Sequence, residues 1–160
     1  MTVAQLLVCH LGAQRVAWPV DAVVEVVRAV AITRLPGAPP ALEGVINVRG
    51  ALVSVLDLRA RFGLATPPLD PDEQMVLVRA GARTVACRVD RVDGLLELPE
   101  GAVAAPHGLT AATRGLAGVA PTGDGVAVVY DPNAFLAEQE ARALEAALDG
   151  ARVDARPAAG

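Results

Sequence analysis

The chain carries an internal repeat, which constrains its fold more than any other sequence feature. A shift of 69 residues, which moves Gly12 onto Gly81, aligns LLVCHLGAQRVAWPVDAVVEVV with MVLVRAGARTVACRVDRVDGLL. The same shift places Asp21 on Asp90, and these glycine and aspartate matches do not follow from a composition rich in valine and alanine. Repeated units usually form similar substructures that pack together. The sequence therefore predicts two similar modules.

Short apolar runs separated by glycine and proline follow one another along the chain. They are Leu6–Leu11, Val16–Val20, Val30–Leu35, Val45–Arg49, Leu52–Asp57, Met75–Arg79, Thr84–Val89, Leu95–Leu98 and Val126–Tyr130. Many short strands at close spacing favour small β-barrels or a sandwich. Gly12, Gly50, Gly81 and Gly125 are predicted to lie in tight turns, where a positive φ is often needed.

Two helical segments and a connection are also predicted. Leu58–Phe62 is expected to form one helical turn closed by Gly63, and residues 64–74 are expected to link the modules through a proline-rich stretch. Apolar residues at helical spacing predict an amphipathic C-terminal helix that ends at Gly150. Those residues are Ala137, Ala141, Leu144 and Leu148.

The composition excludes several functions. All fourteen basic residues are arginine, so Schiff-base catalysis and a P-loop lysine are excluded. A net charge of -4 and few aromatic residues argue against nucleic acid as a partner. No apolar run approaches the roughly 20 residues of a membrane span, and isolated Cys9 and Cys87 suit buried thiols in a reducing compartment. We therefore expect a cytoplasmic protein without direct membrane insertion.

The residues that could perform catalysis form no diagnostic pattern. Cys9, His10 and Cys87 could in principle meet at a metal, but strand alternation predicts a buried Cys9 beside an exposed His10. His107 could act as a base, and Ser54 lies within a strand rather than on a nucleophile elbow. Asp57, Asp90 and Asp131 each follow a strand, where they are expected to cap the next turn. We predict no catalytic residue, metal or cofactor, although a small metal- or ligand-binding barrel enzyme stays open as an alternative.

The segment Gly44–Leu64, GVINVRGALVSVLDLRARFGL, resembles a known signature. It is similar to the chemotaxis coupling-protein (CheW) family, whose members typically read GVINLRG followed by a VPVIDLR strand and an RxFGL close. Val48 stands here for the usual leucine, and Ser54 stands where proline is common. The resemblance extends over about residues 5–136 and is weakest over residues 102–123.

The resemblance implies a fold and a role. Family members have two five-stranded SH3-like barrels, so we expect one domain over residues 1–149, made of two intertwined β-barrel subdomains, and a disordered tail over 150–160. Such proteins are non-enzymatic adaptors that connect the cytoplasmic tips of chemoreceptors to the regulatory domain of the histidine kinase CheA. The resemblance thus implies a location at membrane-associated receptor arrays. The same fold occurs within CheA and in CheV-type proteins, but the chain length favours an autonomous adaptor. An adaptor of another chemosensory pathway, such as pilus-based motility, stays open.

The resemblance also implies a receptor-binding face. By position in the motifs, it consists of Val23, Glu25, Asn47 and Arg49, and the turn glycines Gly44 and Gly50 shape it. An alternative for Arg49 is an internal ion pair with Asp57 or Glu43. An alternative for Glu25 is a solvated charge among valines.

Overall fold

Ten β-strands form most of the fold. The computed structural model describes residues 3–37, 42–61, 64–103 and 116–130. The strands are β1 (Val3–Leu11), β2 (Gln14–Pro19), β3 (Val23–Arg28), β4 (Leu42–Val48), β5 (Ala51–Leu56), β6 (Gln74–Ala80), β7 (Arg83–Val89), β8 (Arg91–Pro99), β9 (Leu116–Thr122) and β10 (Gly125–Tyr130). One helical turn, α1 (Leu58–Arg61), follows β5. The predicted mainly β fold is confirmed.

The strands form two five-stranded sheets, each of which borrows a strand from the other half of the sequence. Sheet A has the order β8-β1-β2-β10-β9, and sheet B has the order β3-β6-β7-β5-β4. β3 follows the β1–β2 hairpin in the chain but pairs with β6 of sheet B. Conversely, β8 follows the β6–β7 hairpin but pairs with β1 of sheet A. The two sheets are therefore linked by a reciprocal exchange of strands.

The repeat extends beyond the segment that the sequence reveals. The shift of 69 residues superposes β6, β7 and β3 on β1, β2 and β8 in reverse order of the halves, and Gly12 and Gly81 both have a φ of 62°. A second shift, of 74 residues, carries Gly44 of β4 onto Gly118 of β9. The bulge between Leu42 and Gly44 recurs in β9, where the register shifts opposite Leu116 and Gly118. All ten strands thus belong to one duplicated unit.

Three hydrophobic clusters follow the same duplication. One cluster fills the interior of sheet A, with Leu6, Val8, Ala17, Ala120, Ala127 and Val129. A second fills sheet B, with Met75, Leu77, Ala86, Ile46, Val53 and Val55, which are the repeat equivalents of the first six. The third and largest cluster contains side chains from both sheets, among them Trp18, Cys9, Val76 and Cys87. Since strand side chains alternate between faces, one face of each central strand fills its own sheet and the other face fills the seam.

Sheet B is closed by a segment that the sequence analysis assigned wrongly. Val30–Leu35 is not a strand, because the segment crosses the end of the sheet and makes one isolated bridge, between Thr33 and Val45. The amide of each residue donates to the carbonyl of the other at 2.9 Å. Ile32 and Leu35 are apolar because they pack against the cores, and not because they belong to a strand.

Two strands and one glycine differ from the other local predictions. β3 and β9 were absent from the predicted runs, and Gly125 begins β10 without a positive φ. The helical turn at Leu58–Arg61 is present, whereas Phe62, Gly63, Asp131, the C-terminal helix and the tail over 150–160 lie outside the described residues.

Asp90 connects the two sheets. Its Oδ2 accepts a hydrogen bond from the Gly12 amide at 2.7 Å, and its Oδ1 accepts one from Arg59 Nη2 of α1. Its own amide donates to the carbonyl of His10 at 2.9 Å. Asp90 was expected to cap the turn that follows it, but it bridges instead the β1–β2 turn of sheet A and the helix that follows sheet B. The buried Arg59 guanidinium is neutralised by this contact.

Candidate partner-binding site

The β4–β5 turn presents Arg49 in a conformation that few side chains adopt. Arg49 has a φ of 49° and Gly50 a φ of 88°, the pattern of a two-residue hairpin turn with two left-handed residues. Gly50 tolerates this conformation because it has no Cβ, whereas an arginine there is strained. The Asn47 side chain stabilises the turn, since its Oδ1 accepts the Gly50 amide at 2.7 Å. Non-glycine residues in this region are concentrated at functional sites.

The turn directs Arg49 onto Glu25 of β3. Arg49 Nη1 donates to Glu25 Oε1 at 3.0 Å, and Nη2 donates to Oε2, so the guanidinium and carboxylate form a two-point pair. Hydrogen bonding and attraction to Arg49 lower the pKa of Glu25, and the same contacts raise the pKa of Arg49. The side chain of Arg49 is 71% exposed and that of Glu25 31% exposed. The pair is therefore ordered but accessible to a partner.

This geometry replaces the internal partners considered for Arg49. Glu43 instead accepts from Arg88 Nη1 at 2.6 Å, and Asp57 Oδ2 accepts from the Thr66 hydroxyl at 2.6 Å. The structure brings together Glu25 and Arg49, which lie 24 residues apart in the sequence. The alternative of an isolated, solvated Glu25 is wrong for the same reason.

The remaining residues of the expected face have different surroundings. Val23 is half-buried and packs against the seam between the sheets. The exposed valines of β3 are Val24, at 44%, and Val26, at 37%, because the bulge at Val24 shifts the alternation of the strand. These two apolar side chains lie on either side of Glu25 in the chain, and sequence reasoning missed them.

Gly44 was expected in a turn but lies within β4, at the bulge. A Cβ there would lie 2.4 Å from the Thr33 carbonyl oxygen and 2.6 Å from Ile32 Cγ2. Gly44 thus permits the close approach of the segment that closes sheet B. It affects the site through the backbone, because that closure brings β3, which carries Glu25, towards β4 and the turn at Arg49.

A buried ion cluster supports the other side of sheet B. Arg88 of β7 donates from Nε to Glu73 Oε2 at 2.5 Å and from Nη2 to Glu73 Oε1 at 3.0 Å. A further Nη2 bond reaches the Pro67 carbonyl at 2.8 Å, so the guanidinium also fastens the proline-rich connection. Glu43 completes the cluster, although its Oε2 is buried without a partner. The hydrogen bonds to Glu73 and the two carboxylates raise the pKa of Arg88.

The candidates for chemistry do not converge among the described residues. Cys9 is fully buried, and desolvation raises the pKa of its thiol to about 12. His10 was expected to be exposed, but its side chain is 18% exposed, with Nε2 3.3 Å from Asp93 Oδ1. In the part of the chain that the structure describes, no three His, Cys, Asp or Glu side chains are placed to share a metal ion. His107 lies outside the described residues.

Fold and site together define a class of protein. A duplicated β domain that presents an ordered ion pair between exposed apolar side chains is typical of protein-recognition modules. Within the described residues, no helix is both long enough and apolar enough to cross a membrane. The model of the CheW-like domain matches residues 5–140. The chain belongs to the CheW-like domain family.

Similar proteins come from several bacteria. A chemotaxis protein CheW of Helicobacter pylori is 26% identical over 61% of this chain and 59% of its own length. A probable chemotaxis protein CheW of Rhizobium etli is 32% identical over 60% of this chain and 62% of its own. These alignments span about three fifths of both curated relatives. The crystal structure of the scaffolding protein TtCheW from Thermoanaerobacter tengcongensis has a TM-score of 0.77 and 26% identity, over 87% of this chain and 96% of that one.

Proposed function

We propose that this protein is a non-enzymatic chemotaxis adaptor that connects chemoreceptors to the histidine kinase CheA. The observation that carries the proposal is the Arg49–Glu25 pair, which lies exposed on the family's signature turn. The family match covers both sheets, and the relatives it resembles are named as CheW and scaffolding proteins. The protein acts in the cytoplasm, at membrane-associated receptor arrays, without inserting into the membrane.

The receptor-binding face consists of Val23, Glu25, Asn47 and Arg49, with Gly44 and Gly50 shaping the backbone. Glu25 fixes the guanidinium before a partner arrives, which lowers the entropy lost on binding. The planar fork of Arg49 presents donors to carbonyl or carboxylate groups at the receptor tip. Val24 and Val26 add apolar area beside the pair, as in interfaces that combine an apolar centre with a few oriented charges. Val23 supports the face from the seam.

The kinase contact is expected to be modest. An interface of about 1,200 Å² or less gives roughly micromolar binding, which an array strengthens by multivalency. The partner is the regulatory domain of CheA, which is similar in fold to this family.

Calorimetry with two purified partners tests the proposal. The partners are the CheA regulatory domain and a receptor-tip fragment from the same organism. Arg49→Ala should weaken receptor binding about tenfold, and Arg49→Glu should weaken it further because it opposes Glu25. Arg79→Ala is the matched control, since Arg79 is exposed on β6, away from the β4–β5 turn in the sequence. The wild-type protein failing to bind either partner at hundreds of micromolar would refute the proposal.

A further inference from the structure

Sheet A contains a cavity of about 190 Å³ between β8 and the β9–β10 turn. Its walls include Val8, Gly94, Leu95 and Leu96, and its other side is formed by Gly123 with the neighbouring Asp124. The two strands that flank it, β8 and β9, are at opposite ends of the sheet order. The cavity therefore lies where the described part of sheet A is open.

The duplication relates this cavity to the Arg49–Glu25 pair. The shift of 69 residues carries Glu25 onto Gly94, and the shift of 74 residues carries Arg49 onto Gly123. The correspondence is structural as well as numerical, because Val24 is skipped in the pairing of β3 and Asp93 is skipped at the same point of β8. Glycine thus stands at both positions that the ion pair fills in sheet B. The absence of two long side chains leaves the equivalent place in sheet A open.

The rim of the cavity combines apolar and acidic groups. Leu95, at 67%, and Val126, at 60%, are more exposed than the other large apolar residues that the structure describes. The carboxylates of Asp93 and Asp124 are 45% and 69% exposed, whereas the Arg15 side chain beside them is 22% exposed. Arg15 is held by Asp124 through both terminal nitrogens and donates to the Thr122 hydroxyl at 3.1 Å. The accessible charge at the rim is therefore acidic.

We propose that this cavity is a second docking pocket, which takes one large aliphatic side chain of the CheA regulatory domain with a lysine or arginine beside it. The inference rests on the proposed function and assigns the kinase to it for a geometric reason. An adaptor must hold two partners on surfaces that do not overlap, and the duplicated fold provides equivalent places on the two sheets. The place on sheet B carries the receptor pair, so the place on sheet A is free for the kinase. Its apolar walls suit the aliphatic chain, and Asp93 and Asp124 suit the basic neighbour.

Two substitutions close or repel the pocket without crowding the fold. A Cβ on Gly123 would contact nothing within 4 Å, and its φ is not in the left-handed region, so Gly123→Arg places a long side chain in the opening. Leu95→Glu changes a side chain that is 67% exposed and adds a third acid at the apolar rim. Gly101→Arg is the matched control, because a Cβ there also meets nothing within 4 Å and lies away from the cavity.

Calorimetry of these variants against the two partners distinguishes the pocket from the proposed function. Gly123→Arg and Leu95→Glu should each weaken binding of the CheA regulatory domain at least tenfold, with receptor-fragment binding and melting temperature unchanged, whereas Arg49→Ala should show the opposite pattern. Gly101→Arg should bind both partners as the wild type does. The pocket assignment is overturned if both pocket variants bind the kinase domain normally, or if they lose the receptor fragment instead. If the wild type binds neither partner, the proposed function fails and the pocket assignment fails with it.

Discussion

Replacing Gly44 by alanine tests how the closure of sheet B supports the candidate site. The added Cβ would lie 2.4 Å from the Thr33 carbonyl oxygen, a distance that real Cβ atoms essentially never show. That oxygen cannot move freely, because it accepts the Val45 amide at 2.9 Å and the Thr33 amide donates back at 2.9 Å. The methyl group must therefore displace backbone and break or lengthen this bridge.

The expected loss of stability is about 3 kcal/mol. Overpacking costs about 1–3 kcal/mol, and each backbone hydrogen bond that is weakened costs up to about 1 kcal/mol. For a domain of this size, 1 kcal/mol lowers the melting temperature by about 2–4 °C, so Gly44→Ala should melt about 6–12 °C below the wild type. Since the closure also brings Glu25 towards Arg49, receptor-fragment affinity should fall more than kinase affinity.

Thermal unfolding followed by circular dichroism measures the effect. Gly125→Ala is the control, because its Cβ would have only the Thr122 hydroxyl near it, at 4.0 Å, and its φ is ordinary. The control should melt within about 2 °C of the wild type. An equally small change for Gly44→Ala would contradict the role assigned to this glycine.

Three further predictions concern buried polar groups. Arg88→Met leaves the carboxylates of Glu43 and Glu73 buried without a cation and should cost about 3–5 kcal/mol in chemical denaturation, whereas a cost below about 1 kcal/mol would show that the cluster is not stabilised by its arginine. Asp90→Ala removes the carboxylate facing Arg59, whose side chain is 6% exposed, and should cost about 3 kcal/mol by the same assay; Asp21→Ala, at the exposed repeat equivalent, should change stability by less than about 0.5 kcal/mol, and equal effects would refute the bridge between the sheets. The pKa of Cys9 is raised from 9.0 to about 12, so between these values the unfolded chain releases a proton that the folded chain retains; stability should fall by about 1.4 kcal/mol per pH unit above pH 9 from this group, and an unchanged slope in Cys9→Ala would contradict it.

The sequence predicted the duplicated hairpins because turn glycines and buried valines leave a direct record. Gly12 and Gly81 have the same φ, and the residues around them align without a gap. The second half of the repeat was missed, since β4–β5 and β9–β10 are related by a different shift and share few identities beyond Leu42, Gly44 and Val45 with Leu116, Gly118 and Val119. Strand exchange between the sheets leaves no periodic signal, because β3 reads alike whichever sheet it joins.

The site was predicted in its members but not in its contacts. Family motifs pointed to Glu25 and Arg49 separately, and no local pattern shows that the two form a pair, because they are brought together by the closure of sheet B through Thr33. The same limit applies to Asp90, whose position after a strand indicated a cap, whereas its partners come from a distant turn and from α1. The cavity at Gly94 and Gly123 had no signal at all, since it depends on side chains that are missing relative to the repeat.

Co-sedimentation with receptor vesicles tests most directly whether the protein bridges two partners. Vesicles that carry the receptor should pull down CheA when this protein is present and leave CheA in the supernatant when it is absent. Arg49→Ala should lose both proteins from the pellet, while Gly123→Arg should remain with the vesicles but no longer recruit the kinase. Kinase recruitment that is the same with and without this protein would contradict the account.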